Sequence, residues 1–169
     1  LPVLAAREAL QNGVDAIKAA VKARKTKSGH GRFAVSWDPS RRSLSFEHNG
    51  VGMDAETILG KFLSLGDSGK SGAGDSEEAA GGFGVAKAVI LGTSTTFRWE
   101  MHTRDNLAVS EGANKDVQIF DAPYLQGTRI TIHDVSDEFD TTWDYARQEG
   151  VALADRLREM LAANDLRGI

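Results

Sequence analysis

Apolar residues recur from Val3 through Leu10, Val14, Ile17 and Val21, the spacing of one buried helix face. This predicts a helix over 2–25, with Pro2 in the first turn and Lys22, Arg24, Lys25 and Lys27 near the end, where cations suit the helix dipole. The period then falls to two. Alternation over 33–37 and 44–47 flanks a 38–42 turn and reads as a hairpin. Asp54 is suited to cap a short helix over 54–64. A glycine-rich stretch over 65–84 leads into an apolar helix over 85–91. Strand patterns return over 95–103, 107–110, 117–120 and 128–133, with a turn at 104–106, and Val151, Ala154, Leu157 and Leu161 predict a closing amphipathic helix over 140–163. This order predicts an α/β two-layer sandwich, with helices packed on one face of a largely antiparallel mixed sheet.

Composition narrows the class. A chain of 169 residues without internal repeat or interior linker predicts a single domain over 1–169. It begins at Leu1 without Met and enters helical periodicity at once, so a piece of a longer protein is expected. Hydrophobic residues make up 41% and charged residues 26%, and no apolar run approaches the ~20 residues a bilayer needs, so a soluble, cytoplasmic chain with no membrane partner is expected. Cysteine is absent, which removes disulfides, thiolate metal ligands and cysteine nucleophiles. A net charge of -4 argues against a broad nucleic-acid footprint and leaves room for a local basic patch.

Eighteen glycines stand against three prolines, and Gly66, Gly69, Gly72, Gly74, Gly81, Gly82 and Gly84 crowd one stretch. Walker-type, Rossmann and kinase glycine loops all fail. Ser64 stands where a Walker loop needs Gly, and the glycine spacings miss the dinucleotide fingerprint. What remains is a loop ending at a helix start, where Gly81, Gly82 and Gly84 leave N–H groups open to an anion. On the first helix, Glu8, Asn12 and Asp15 share one polar stripe at i, i+4 and i+7. The stripe reads either as a solvated face or as a functional pair, Asn12 offering an oxygen to Mg²⁺ and Glu8 orienting or deprotonating a water. His48 to Met53 reads alone as a turn, and Gly127 to Ile132 as a late strand.

Taken in order, Glu8-x-x-x-Asn12-x-x-Asp15, Asn49-Gly50-Val51-Gly52-Met53, Leu65-Gly66 through Lys70-Ser71-Gly72, Gly81-Gly82-Phe83-Gly84-Val85 and Gly127-Thr128 resemble the Bergerat-fold ATPases. That family, called GHKL, includes DNA gyrase, the heat-shock 90 chaperones, sensor histidine kinases and the MutL mismatch-repair proteins. The resemblance spans about residues 4–133 and looks closest to the heat-shock 90 type. It implies an ATP hydrolase with ATP and Mg²⁺ as ligands, using nucleotide binding and slow hydrolysis to drive lid closure or dimerisation in a larger chaperone-like or DNA-processing protein. A homodimer through further segments, and an unidentified client or DNA-processing partner, are implied with it. Glu8 would be the general base, Asn12 the Mg²⁺ ligand, and Asp15 a support for the helix motif. Gly50, Gly52 and Met53 would form the wall beside adenine, and Lys70 and Ser71 would belong to an ATP lid over 65–84. Gly81, Gly82, Phe83, Gly84 and Val85 would present N–H groups to the phosphates, and Thr128 would sit near the base. Two residues depart from the family pattern. Ala86 replaces a common glycine, a mild change. His48 stands where the family places the Asp that accepts the adenine amino hydrogen. A neutral imidazole can accept one hydrogen bond, so the expectation is weak ATP binding that weakens further below pH ~6.5. A histidine-kinase catalytic domain, or a degenerate nucleotide-binding interaction module, are the alternative readings.

Overall fold

The computed structural model describes residues 1–60, 92–112 and 117–164. The chain is mixed α/β. Helix α1 (Pro2–Lys22) is followed by strands β1 (Phe33–Asp38) and β2 (Ser43–His48) and the short helix α2 (Ala55–Ile58). Strands β3 (Trp99–Ser110) and β4 (Gln118–Ile132) come next, then a 3-10 turn (Asp137–Phe139), strands β5 (Thr141–Asp144) and β6 (Glu149–Ala152), and helix α3 (Leu153–Ala162). β1 to β4 form one antiparallel four-stranded sheet in the order β1-β2-β4-β3, and β5 and β6 pair as a separate hairpin.

Register fixes what the main sheet does. Trp37, Leu44, Ile132 and Trp99 align across it, as do Val35, Phe46, Ile130 and Met101. Side chains two apart share a face, so these rows form one apolar surface. The other face is polar: Glu47 pairs with Arg129 at 3.5 Å, Ser45 bonds Thr131 at 2.9 Å, and His133 meets Glu100 at 3.1 Å. Helix α1 turns small residues, Ala5, Ala6, Gly13 and Ala20, inward with Leu10 and Ile17. Small side chains let its backbone lie close to the strands. Ala5 and Ala6 join Leu44, Phe46, Trp99, Met101 and Ile132, with Leu153 and Leu157 of α3, in one buried cluster.

Four expectations are corrected. The strand expected over 95–103 begins at Trp99; before it, Ser94 makes only an isolated bridge to Val135. No turn occurs at 104–106: β3 runs through, and a bulge absorbs the turn-forming residues, with Arg104 at φ 49° and register shifts on both sides. The expected strands over 117–120 and 128–133 are likewise parts of one strand, β4. The helix expected over 140–163 starts only at Leu153, because its first half is the β5–β6 hairpin. There, Asp144 accepts hydrogen bonds from the Ala146 and Arg147 N–H groups at 2.9 and 3.1 Å, and Gln148 takes φ 56°, which bends the chain out of helix. The Arg147 N–H, then the Ala146 N–H and the Arg156 and Arg147 guanidinium groups, hold the Asp144 carboxyl below the usual carboxylate range. Glu159 meets both arginines, tying hairpin to α3. Near the first hairpin, the cap expected at Asp54 is present, accepting from Thr57 N–H at 2.8 Å. No helix among the described residues is long and apolar enough to cross a membrane.

Candidate functional site

At one end of the apolar sheet face the side chains turn polar. Phe33 pairs with His48, His48 with Thr128, and Thr128 with Thr103, so a single row crosses all four strands. Thr103 and Thr128 are buried, at 0% and 5% exposure, and cannot rely on water for their hydrogen bonds. Thr103 Oγ1 donates to the Gly127 carbonyl at 2.8 Å and accepts from the Met53 N–H at 2.8 Å. Thr128 Oγ1 lies 2.9 Å from Thr103 Oγ1. Since the one Thr103 proton goes to Gly127, Thr128 is the donor in that contact and keeps only lone pairs for anything else.

Glycines bring backbone against this row. A Cβ at Gly13 would lie 2.6 Å from the Phe33 ring and 3.4 Å from His48 Cβ, so α1 rests directly on the row's first two members. Gly50 lies against the α1 backbone, where a Cβ would come 2.5 Å from Ile17 N, and the next residue, Val51, donates its N–H to Ala16 O at 3.0 Å. A Cβ at Gly52 would be 2.7 Å from Gly127 O and 2.8 Å from Thr103 Oγ1. Gly127 has φ +89° and faces the His48 carbonyl, so both conformation and space require glycine there. Residues 48–53, the middle of α1 and the bulged part of β4 thus meet at one place.

Within that frame the structure brings together His48, Gly50, Gly52, Met53 and Thr128. Asn12 is half-buried at the flank of the inward face of α1, next to Gly13, and Glu8 is half-buried one turn earlier. Neither side chain has a hydrogen bond or ion pair among the described residues. Asp15 is exposed and accepts from Gln11 Nε2 at 3.3 Å, on the outer side of the helix. Lys70, Ser71, Gly81, Gly82, Phe83, Gly84 and Val85, with the 65–84 stretch and the 85–91 helix, lie outside the described residues. No group of three His, Asp or Glu side chains able to hold a metal ion occurs among the described residues. Mg²⁺ bound beside phosphates needs no such cage: it takes one or two protein oxygens, several waters and phosphate oxygens. A single unpartnered amide oxygen at Asn12 fits that donor set.

His48 departs from its expected role. Its Nδ1 accepts the Gly50 N–H at 3.1 Å, and an N–H can only donate, so Nδ1 carries no proton and Nε2 does. The free edge of the ring is a donor. Burial pushes its pKa down from 6.5 to about 4. The expected loss of binding below pH ~6.5 through protonation of this ring is therefore corrected, because the ring stays neutral across that range.

Two residues of this region, Thr103 and Gln126, carried no motif, and Asn49 stood in one without a role of its own. Thr103 is placed by alternation from Trp99 and Met101, a signal that was present but hidden by the turn expected just after it. The Asn49 side chain accepts from Arg32 N–H at 2.7 Å and donates to His30 O at 2.9 Å. Gln126, set outside the ladder by the bulge, donates to Thr26 Oγ1 at 3.1 Å and Asn49 O at 3.2 Å. Comparison with protein-family models and with curated proteins gives no match.

Proposed function

We propose that this chain is a Bergerat-type nucleotide-binding domain, a two-layer sandwich that binds Mg·ATP and, within a longer protein, hydrolyses it slowly. The observation that carries the reading is the polar row His48, Thr128 and Thr103 at the end of an otherwise apolar sheet face. Glycine backbone from 50, 52 and 127 borders the row, and Asn12 and Glu8 lie on the helix above it. The motif order of the sequence supports the same reading independently. In it, Asn12 would present its carbonyl oxygen to Mg²⁺, and Glu8 would accept the proton of the water that attacks the γ-phosphorus as the bond to the ADP oxygen breaks. Mg²⁺, when bound, would supply charge neutralisation across the phosphate oxygens. Thr128 would offer a lone pair near the base, and the residues over 65–84 would close over the triphosphate.

A second reading rests on the His48 ring. With Nδ1 committed to Gly50, no acceptor is offered at the position where the family places a carboxylate, which favours an interaction module that binds nucleotide weakly and does not turn it over. Phosphate release by the unmutated domain and by Glu8→Ala separates the two. Release abolished by Glu8→Ala supports hydrolysis; equal background release from both supports the module. Calorimetry showing no ATP binding at millimolar concentration with Mg²⁺ would sink both.

A further inference from the structure

From residue 16 to residue 37 the chain carries Lys18, Lys22, Arg24, Lys25, Lys27 and Arg32 and no Asp or Glu, although the whole is acidic at -4. The structure gathers part of this run around a cavity of about 500 Å³, lined by Lys25, Lys27, His30 and Arg32 together with Thr26, Asn49 and Gln126. Among the described residues no carboxylate lines it. Nor does the side chain of Lys25, Lys27 or Arg32 form an ion pair with any described residue.

Some of these cations complement the C-terminal end of α1, yet the end of the helix is already satisfied by backbone. Arg24 takes φ 57° and donates its N–H to Val21 O, while Lys25 N–H and Thr26 N–H both reach Ala20 O. The loop beyond is held in place from two strands. Asn49, at the end of β2, bonds Arg32 and His30 with its amide and accepts from Thr26 and Gln126 with its carbonyl. Lys27 to His30 form a turn closed by His30 N–H to Lys27 O at 3.0 Å, with Gly29 third at φ +81°, a conformation that favours glycine. The N–H groups of Ser28, Gly29 and Gly31 have no acceptor among the described residues. Cations without an ion-pair partner and, at Gly29 and Gly31, backbone N–H groups without an acceptor among the described residues border one concave surface, whose described lining holds no Phe, Tyr or Trp.

We propose that this cavity is a binding site for a compact oligophosphate, an anion of two or more linked phosphates, taken up by Lys25, Lys27, Arg32 and the N–H groups of the 27–31 turn. Its lining adjoins the candidate nucleotide site, because Asn49 stands between His48 and Gly50 and Gln126 precedes Gly127. Its cations lie beyond the end of α1, whose last residue, Lys22, is ~15 Å along the helix from Asn12 at ~1.5 Å per residue.

The test is calorimetric titration of the intact chain with inorganic tripolyphosphate in EDTA, which keeps Mg²⁺ out of the comparison. The unmutated chain is expected to bind with Kd below about 1 mM at low salt, weakening as salt screens the exposed cations. The double reversal K27E/R32E is expected to weaken binding at least about tenfold, and Asn12→Ala to leave it within about twofold. Gly29→Ala, which strains the turn without filling space, is expected to weaken it several-fold. If K27E/R32E fails to fold by circular dichroism, K27Q/R32Q takes its place with an expected loss of about threefold or more. No binding to the unmutated chain would overturn the proposal. So would binding left unchanged in K27E/R32E, which would place the phosphates outside this cavity. An oligonucleotide that binds where tripolyphosphate does not would replace the cavity with an extended nucleic-acid surface and overturn it equally.

Discussion

Lowering the pH should destabilise this fold through His48 more steeply than its position at a strand end would imply. The folded ring has its pKa pushed down from 6.5 to about 4 by burial, with no charged partner contributing. An unfolded chain takes up a proton near pH 6.5, whereas the folded chain resists until about 4, so between those values the unfolded state binds more protons. Stability therefore rises with pH across that window: the contribution is fully present above ~6.5, falls as the pH drops, and is exhausted near 4. At ~1.4 kcal/mol per pH unit, the whole window is worth ~3 kcal/mol, and at pH 5 about 2 kcal/mol is already lost. His48→Asn isolates the effect, because Asn Oδ1 can replace Nδ1 as acceptor for the Gly50 N–H while removing the titration. Urea unfolding of both proteins from pH 4.5 to 8 gives the comparison, every other group being common to the two. The stability difference should shift in favour of the variant by ~2 kcal/mol between pH 7.5 and 5. A difference flat to within ~0.5 kcal/mol would refute the buried, neutral imidazole.

Three further outcomes follow from the same region. Gly50→Ala would drive a methyl into the backbone of α1 at Ile17 and should cost ~2 kcal/mol or more; an unchanged urea midpoint would mean that α1 and the 48–53 segment are not in contact. Thr103→Val keeps the shape but strips partners from the Met53 N–H, the Gly127 carbonyl and the Thr128 hydroxyl, for ~2 kcal/mol, while Thr103→Ser should recover most of it; equal stability of the two variants would dismiss the hydroxyl network. Asn12→Ala should leave the thermal midpoint unchanged, since the side chain has no partner among the described residues, and should weaken Mg-dependent ATP binding about tenfold or more by calorimetry; a lowered midpoint would give Asn12 a structural role instead.

Periodicity revealed the elements whose burial is one-sided. Helix α1 and both strands of the first hairpin bury alternate or every third to fourth position against one surface, so apolar spacing alone marks them, whereas the Asp54 cap was marked by the chemistry of its side chain. It failed where a local rule was satisfied by a different structure. Arg104, Asp105 and Asn106 are turn formers, yet the β3–β4 pairing continues through them, because a bulge uses the same positive-φ backbone as a turn. The residues from 140 to 152 could be written on a helix wheel with Val151 and Leu157, but Asp144 spends its carboxylate on the N–H groups two and three residues on. Short polar side chains compete with helix in this way, and only the pairing of Thr141 to Asp144 with Glu149 to Ala152 decides the outcome.

The candidate site follows the same division. Glycines at 50, 52 and 127 read in the sequence only as a turn, as the wall the resemblance implies and as the start of a strand, and the structure makes them places of close approach to the α1 backbone, the Thr103 hydroxyl and the His48 carbonyl. The polarity of His48 was not legible at all. An imidazole offers one nitrogen that gives and one that receives, and the residue name does not say which faces the site. Gly50, two residues on, settles it by donating to Nδ1, and burial removes the charged form that would have made both nitrogens donors. A carboxylate at this position would receive hydrogen bonds from both oxygens; this ring gives one through Nε2. Any ligand group meeting that edge must therefore be an acceptor. If the pocket holds adenine, a ring nitrogen rather than the amino group faces His48. A complex with the amino nitrogen within hydrogen-bonding distance of Nε2 would require the ring to turn over and the Gly50 N–H to lose its partner.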